Sequence, residues 1–507
     1  MSMPIDKRQE RMLTWAVFLA YTALLLMALS KHELWGDEIH SWNIARSSTG
    51  LLDLLNNSRF EGHPPLWYAV LFTITRFTHD PEYMKAVQAV FAMAAVFIVL
   101  FASPFPVVIR ALIPFGYYFA FEYGAFSRNY AIALVLAFST AWLLTQKPRH
   151  YRAWFFFLVF LLSCTHLLGL LLAISFCVYH AWQERAAEVG TRRALVQLAL
   201  GAIICIPAAL QIAPPGESQL NMQFWMDRWT VQQWDIMAQA PLKAFVPIPD
   251  ADQFHFWNTN ALLQLLPSGD NGLLIVRCTA IATIASVCLM LRKVRGSMGF
   301  FASNELLTAA VAFVFPLTSA RYVGFIFIAF IIAAWFHAHE RPLGRGAVAF
   351  TTLVLVLHVF AAALAIRRDY SQPFSHSSKV RELIAQVPSQ ANVVTDYWCL
   401  NNLSAFIARP FYCLEHRKEL SFLRWDAELA KATSRPEFYT TGLLSFWQHE
   451  QPLEVYMISV KDPDGLRARD SALFNQFDLE LINSWEGAIE PSSNVYLYKV
   501  RASALRE

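Results

Sequence analysis

Long apolar runs recur at short intervals from Leu13 to Ile366, and no other feature of the chain narrows its fold so far. Eleven can be drawn, at roughly 13–30, 83–102, 106–124, 131–145, 153–167, 168–182, 194–212, 272–291, 298–317, 322–337 and 346–366. A helix that crosses the hydrocarbon layer needs about 20 apolar residues. Inside lipid its backbone N–H and C=O groups must also find partners within the chain itself. The runs therefore predict a polytopic α-helical membrane protein with about eleven transmembrane helices. Charged residues make up 16% of the chain, below the roughly 25% usual in soluble domains. A net charge of +3 with no basic stripe excludes a nucleic-acid partner.

Basic residues in the short loops set the orientation, because cytoplasmic loops hold the excess of Lys and Arg. The first run follows Lys7, Arg8 and Arg11 without a small-residue cleavage site, which predicts a signal anchor with its N-terminus in the cytoplasm. Arg110 opens the third run, and Lys147, Arg149 and Arg152 follow the fourth. Arg185, Arg192 and Arg193 follow the sixth, Arg292, Lys293 and Arg295 the eighth, and Arg341 and Arg345 the tenth. Alternate loops are thus basic, which predicts a multi-pass plasma (bacterial inner) membrane protein with an extracytoplasmic C-terminus. The apolar segment Pro65–Phe77 is too short to span, and counting it would put the basic clusters outside. It is expected to lie in the outer interface.

This topology gives a membrane domain over 1–366 and an extracytoplasmic, periplasmic soluble α/β domain over 367–507. The membrane domain carries a first outer loop at about 31–82 and a second at about 213–271. In the second loop Trp225, Trp229, Trp234 and Trp257 suit the headgroup layer. In the soluble domain Val380–Ala385 reads as helix and Asn392–Thr395 as strand. Glu454–Val460 also reads as strand, and Tyr496–Val500 as a closing edge strand. Cys399 and Cys413 are the two cysteines of that domain, and pairing or remaining free are equally compatible with their positions. No cysteine or histidine spacing matches a zinc site.

A small polar set falls at the outer helix ends: Asp37, Glu38, His40, Glu61, His63, Glu122, Arg128, Tyr130, His166, Arg321 and Tyr322. Singly, each is explained by snorkelling or by solvation of a loop carboxylate. Jointly they share one membrane face and divide by chemistry, with carboxylates in one loop and cations with tyrosines elsewhere. Two carboxylates at a lipid–water boundary suit a general base or a divalent cation. Guanidiniums with phenol hydroxyls suit a phosphate. Together they point to a lipid-phosphate substrate.

In order along the chain stand Trp35-Gly36-Asp37-Glu38, Glu61-Gly62-His63-Pro64-Pro65-Leu66-Trp67-Tyr68, Ser127-Arg128-Asn129-Tyr130-Ala131, Thr165-His166-Leu167-Leu168-Gly169 and Ala320-Arg321-Tyr322. This series resembles the GT-C glycosyltransferases that use polyprenyl-phosphate sugars such as undecaprenyl-phosphate sugars. The branch it looks most like holds protein O-mannosyltransferases and the aminoarabinose transferase of lipid A. The resemblance covers the membrane half, and the C-terminal domain matches only in being soluble and extracytoplasmic.

The resemblance implies a transferase that moves a sugar from a polyprenyl-monophosphate carrier to an acceptor hydroxyl on a lipid, a polysaccharide of the cell envelope, or a protein. Asp37 would be the catalytic base, and Glu38 would support it or help hold a metal. His63, Arg128, Tyr130, Arg321 and Tyr322 would bind the donor phosphate or sugar, with His40, Glu61, Glu122 and His166 lining the cavity. His63 stands where mannosyltransferases carry a histidine and lipid A-type relatives a lysine. Many relatives have an acid just after the Arg/Tyr motif, where this chain has Ala131, Ile132 and Ala133. Glu122 could supply that carboxylate or be only a helix-end charge. The missing acid favours catalysis without a metal, and direct displacement implies inversion at the anomeric carbon. Two other readings remain, a lipid or sugar transporter or flippase, and a catalytically silent GT-C scaffold. A transporter would place charges at mid-membrane depth and usually show inverted repeats; no repeat is visible here.

Overall fold

Leu, Val, Ile, Phe and Ala dominate the long runs, and with no competing polar groups the backbone closes on itself as helix. The computed structural model describes residues 6–186, 190–218, 232–315, 317, 319–435 and 437–503. Among them seven helices are long and apolar enough to cross a membrane: Lys7–Lys31, Tyr83–Ala102, Leu167–Ala186, Thr191–Ile212, Asp270–Leu291, Ala320–Glu340 and Arg345–Ser371. Three more expected spans are helical but differ in kind. Tyr130–Gln146 and Tyr151–Ser163 are apolar but only 17 and 13 residues long. Arg295–Ala312 carries Asn304 and Glu305 in its middle.

The expected span at 106–124 is not one helix. It is an α-helical piece Val107–Leu112, a 3₁₀ turn Ile113–Phe115 and a π-helical turn Tyr118–Glu122. Pro114 removes a backbone donor, which breaks the α-helical ladder at this point. The π turn ends on Glu122, a member of the polar set.

Contacts divide the chain into two compact units. The first comprises Met1–Ser30, Lys85–Ala213 and Met222–Arg368, and the second Lys31–Met84, Pro214–Asn221 and Asp369–Glu507. At the heart of the first unit lies Ala320–Glu340, buried on every side along most of its length, as a helix apolar all round must be. Gly324 lets it approach its neighbours. A Cβ there would stand 2.3 Å from Tyr118 Cε1 and 2.3 Å from the Tyr123 hydroxyl. That close approach lets Tyr123 O–H donate to the Arg321 carbonyl at 2.8 Å. Trp257, expected at the headgroup layer, is instead buried in this unit, where its carbonyl accepts from Tyr117 O–H at 3.1 Å. An amphipathic ring is not bound to the interface when apolar neighbours surround it. Trp225 and Trp229 lie outside the described residues, as does the side chain of Trp234.

The second unit is built on six strands: β1 (Asn392–Thr395), β2 (Phe411–Cys413), β3 (Lys418–Leu420), β4 (Val455–Ser459), β5 (Phe477–Trp485) and β6 (Val495–Ala502). Their order is β3-β2-β1-β4-β6-β5. β1 pairs in parallel with β2 and β4, while β3, β5 and β6 join antiparallel. The strand over Tyr496–Val500 was expected to close the sheet, yet β6 lies between β4 and β5. The edge belongs to β5, in which only Phe477 is fully buried. Val394, Leu443, Met457, Tyr498 and Val500 form the core beneath. Cys399 and Cys413 are both buried and both free.

Asp396, at the end of β1, ties the sheet to the helix that follows. Its carboxylate caps Tyr397–Ile407 by accepting from Cys399 N–H at 2.8 Å, and accepts from Val460 N–H at 3.0 Å at the end of β4. The Leu66–Thr75 helix, ten residues long, belongs to this same unit and buries Trp67, Tyr68 and Leu71.

A pair of alanine substitutions separates close packing from helix propensity. Gly324→Ala is expected to lower the thermal unfolding midpoint in detergent, because an overpacked core costs about 1–3 kcal/mol. Gly299→Ala, where a Cβ would meet nothing within 4 Å, is expected to raise it, since Ala is favoured over Gly in a helix by about 1 kcal/mol.

Candidate functional site

The carboxylates are set out by the first turn of one helix. Gly36–Ser47 opens after Trp35, with Asp37 and Glu38 in its first turn, where the helix dipole favours negative charge. Glu38 is fully buried, and its Oε2 accepts from Trp35 N–H at 3.2 Å. Such a carboxylate needs a cation, and His32 supplies it. His32 Nε2 lies 3.1 Å from Glu38 Oε2, and His32 Nδ1 lies 2.9 Å from Asp369 Oδ2. Burial pulls the ring towards its neutral form, but Asp369 and Glu38 outweigh it and push the pKa up to about 10. The ring is therefore an imidazolium at neutral pH, with both N–H groups directed at carboxylates. Asp37, one residue from Glu38, is only half-buried.

One turn further on, His40 Nε2 lies 2.8 Å from Glu61 Oε1. Burial again works against the charge on His40, and Glu61, Asn401 and Asp37 together raise its pKa. The helix Tyr397–Ile407 steadies this segment: Asn43 Nδ2 donates to the Asn401 carbonyl at 2.8 Å, and Arg46 donates to that of Ser404. Glu61 closes a 3₁₀ turn that ends at Gly62, whose φ of 65° is left-handed and suits glycine. His63 follows, half-buried, ahead of the Leu66–Thr75 helix.

The cations and tyrosines meet in the first unit. Arg321, in the first turn of the central helix, is buried with its Nε 3.6 Å from Glu122 Oε1. Glu122 Oε2 lies 3.2 Å from the Tyr117 hydroxyl. Glu122 is thus the counter-charge of a buried guanidinium, more than a helix-end charge. Asn129 donates to the Thr165 carbonyl at 3.0 Å, joining the start of the Tyr130–Gln146 helix to the turn before Leu167. This sets the Tyr130 ring 5.0 Å from His166 and 5.2 Å from Tyr123, centroid to centroid. His166 Nδ1 accepts from Gly169 N–H at 3.0 Å, which leaves the ring proton on Nε2. The Tyr130 hydroxyl is buried with no hydrogen-bond partner among the described residues. Arg128, Arg321, Tyr322 and Glu122 all act on it electrostatically.

Each half of the sequence-derived set is therefore assembled within its own unit. Asp37, Glu38, His40 and Glu61 form one group, with His63 close in sequence, and Glu122, Arg128, Tyr130, His166, Arg321 and Tyr322 form the other. Four groups that the sequence reading did not include belong here: His32, Asp369, Asn401 and Tyr117. His32 and Asp369 each follow an apolar run and look like ordinary interfacial polar residues. Among the described residues no group of three or more His, Cys, Asp or Glu is placed to hold a metal ion.

No family model matches the sequence, and no curated protein matches it. Among solved structures, ArnT from Cupriavidus metallidurans bound to undecaprenyl phosphate is similar, with a TM-score of 0.53 at 12% identity over 97% of this chain and 98% of that one. The same protein in its apo state gives a TM-score of 0.44 at 12% identity, over 96% and 97% of the two chains. With the seven apolar helices, this likeness defines the class, a multi-pass helical membrane protein that shares the fold of ArnT.

The His32 cluster has a pH signature. Because its pKa is raised above the ordinary 6.5 to about 10, the stability it contributes is complete below pH 6.5. It declines above that and is lost as pH passes 10. The unfolding midpoint of the wild type in detergent is expected to fall across this window. In His32→Gln it should be lower at pH 6.5 and nearly flat above.

Proposed function

We propose that the protein is a membrane glycosyltransferase that moves a sugar from a polyprenyl monophosphate to an acceptor hydroxyl on the extracytoplasmic face. The observation that carries this reading is the Tyr130 hydroxyl, buried without a partner among the described residues and acted on by two arginines. Two guanidiniums and a phenol form a ready anion site. The likeness in fold to an ArnT crystallised with undecaprenyl phosphate supports a lipid monophosphate as that anion. The orientation, with the N-terminus in the cytoplasm of a bacterial inner-membrane protein, rests on the basic residues of alternate loops.

In this reading the Asp37 carboxylate takes the proton of the acceptor hydroxyl. The freed oxygen forms a bond to the anomeric carbon as the bond from that carbon to the phosphate oxygen breaks, and inversion follows. The donor is a phosphodiester with a single negative charge and leaves as a monoester with two. Arg128 and Arg321 meet the added charge, and Tyr130 donates a hydrogen bond to it. Glu122 keeps Arg321 aligned. Glu38, clasped by His32, fixes the turn that presents Asp37, and His40 and Glu61 brace the next turn. His63, Tyr322 and His166 are assigned to the donor cavity. The acceptor is a lipid, a glycan or a protein hydroxyl, and the domain after Arg367 is assigned to its selection.

Purified protein incubated with a panel of polyprenyl-phosphate sugars is expected to release polyprenyl phosphate from one of them. Asp37→Asn should lower kcat by about 10²-fold or more and leave binding of undecaprenyl phosphate intact. Arg128→Gln or Arg321→Gln should weaken that binding instead. Full turnover by Asp37→Asn would rule out its role as base, and absence of transfer with every sugar would leave the scaffold or flippase reading in its place.

A further inference from the structure

Away from the polar set, at the end of the first unit where Asp270–Leu291 and Ala320–Glu340 finish and Arg345–Ser371 begins, lies a cleft of about 740 Å³. Its lining combines apolar Leu289, Met290 and Phe350 with Lys293, His337 and Arg341. We propose that this cleft binds an anionic phospholipid of the adjoining leaflet, its phosphate between Lys293 and Arg341 and an acyl chain along Leu289 and Phe350.

Neither cation is balanced by a carboxylate: among the described residues Lys293 and Arg341 make no salt bridge. Glu340, the acid beside them in sequence, acts on the Tyr179 hydroxyl. His337 is nine-tenths buried, and its Nδ1 has no hydrogen-bond partner among the described residues. The third source of positive potential is backbone. The helix Arg345–Ser371 is 27 residues long, and its first N–H groups have no carbonyl within the helix. Gly344 and Gly346 stand at this start, and a Cβ on either would meet nothing within 4 Å, so an oxyanion has room to approach. Leu289 is exposed where an apolar side chain in water would be unfavourable but one against lipid is not.

Membrane context selects the occupant. Arg292, Arg295 and Arg345 crowd the same end, which the excess of basic residues makes the cytoplasmic one. Anionic lipids concentrate in that leaflet, and basic pockets between helix ends are where their headgroups settle. The inference does not depend on which sugar is transferred, nor on whether transfer occurs at all.

The test uses the full chain in neutral detergent, titrated with phosphatidylglycerol or with phosphatidylcholine of the same acyl chains. Thermal unfolding and native mass spectrometry report binding. Phosphatidylglycerol is expected to raise the unfolding midpoint and remain bound in the gas phase, and phosphatidylcholine to do neither. In Lys293→Gln/Arg341→Gln the apparent affinity for phosphatidylglycerol should fall about tenfold or more, as each basic residue near a membrane surface contributes of order 1 kcal/mol. Arg292→Gln/Arg345→Gln removes as much charge from the same end without touching the cleft lining, and should leave affinity unchanged. Equal protection by both lipids, equal loss in the two double variants, or full protection by inorganic phosphate alone would each overturn the proposal.

Discussion

His32 holds its proton between Glu38 and Asp369 in a place closed to solvent, and the start of the Gly36–Ser47 helix is fixed around it. A charge in such surroundings is tolerable only when its partners are close and well directed, and removing one partner leaves the other stranded. Glu38 therefore has little freedom, and its neighbour Asp37 inherits a defined position while staying half-exposed. The base role proposed for Asp37 requires that combination of a fixed backbone and an accessible carboxylate. The same logic governs Arg321, a buried guanidinium on the central apolar helix answered by Glu122. In both places a buried ion pair spends stability on orientation.

Irregular backbone gathers where polar side chains must be aimed. The expected span at 106–124 breaks into an α-helical piece, a 3₁₀ turn and a π turn, and the last places Glu122 beside Arg321 and Tyr117. An unbroken helix would have satisfied its backbone more simply. The break is accepted because the segment is buried in protein, where neighbouring groups such as Gln88, donating to the Tyr123 carbonyl at 2.7 Å, take up the freed acceptors. The C-terminal sheet plays a comparable part in the other unit: Asp396 ties β1 and β4 to the Tyr397–Ile407 helix, which in turn holds Asn43 and Arg46.

Much of this was legible in the sequence. Apolar runs declare helices because a strong local preference and a long hydrophobic stretch agree, and β1 was located residue for residue by its run of β-branched residues. Asp37, Glu38, Arg128, Tyr130 and Arg321 stood out because charge and phenol groups are rare beside such runs. The third span misled because its hydrophobicity hid the weight of Pro114. β6 misled because a strand's own sequence does not say whether one neighbour or two will pair with it.

The sequence by itself determined that the chain is a multi-pass helical membrane protein with a small sheet domain, and it picked out a set of polar residues at the helix ends. Those properties follow from local composition and period. Only the tertiary structure decided that His32 answers Glu38, that Asp369 and Asn401 join the carboxylate loop, and that Glu122 is the counter-ion of Arg321. These pairings link positions up to 361 residues apart. They form because the low dielectric of a closed interior makes each buried charge seek the nearest opposite one, wherever along the chain it lies.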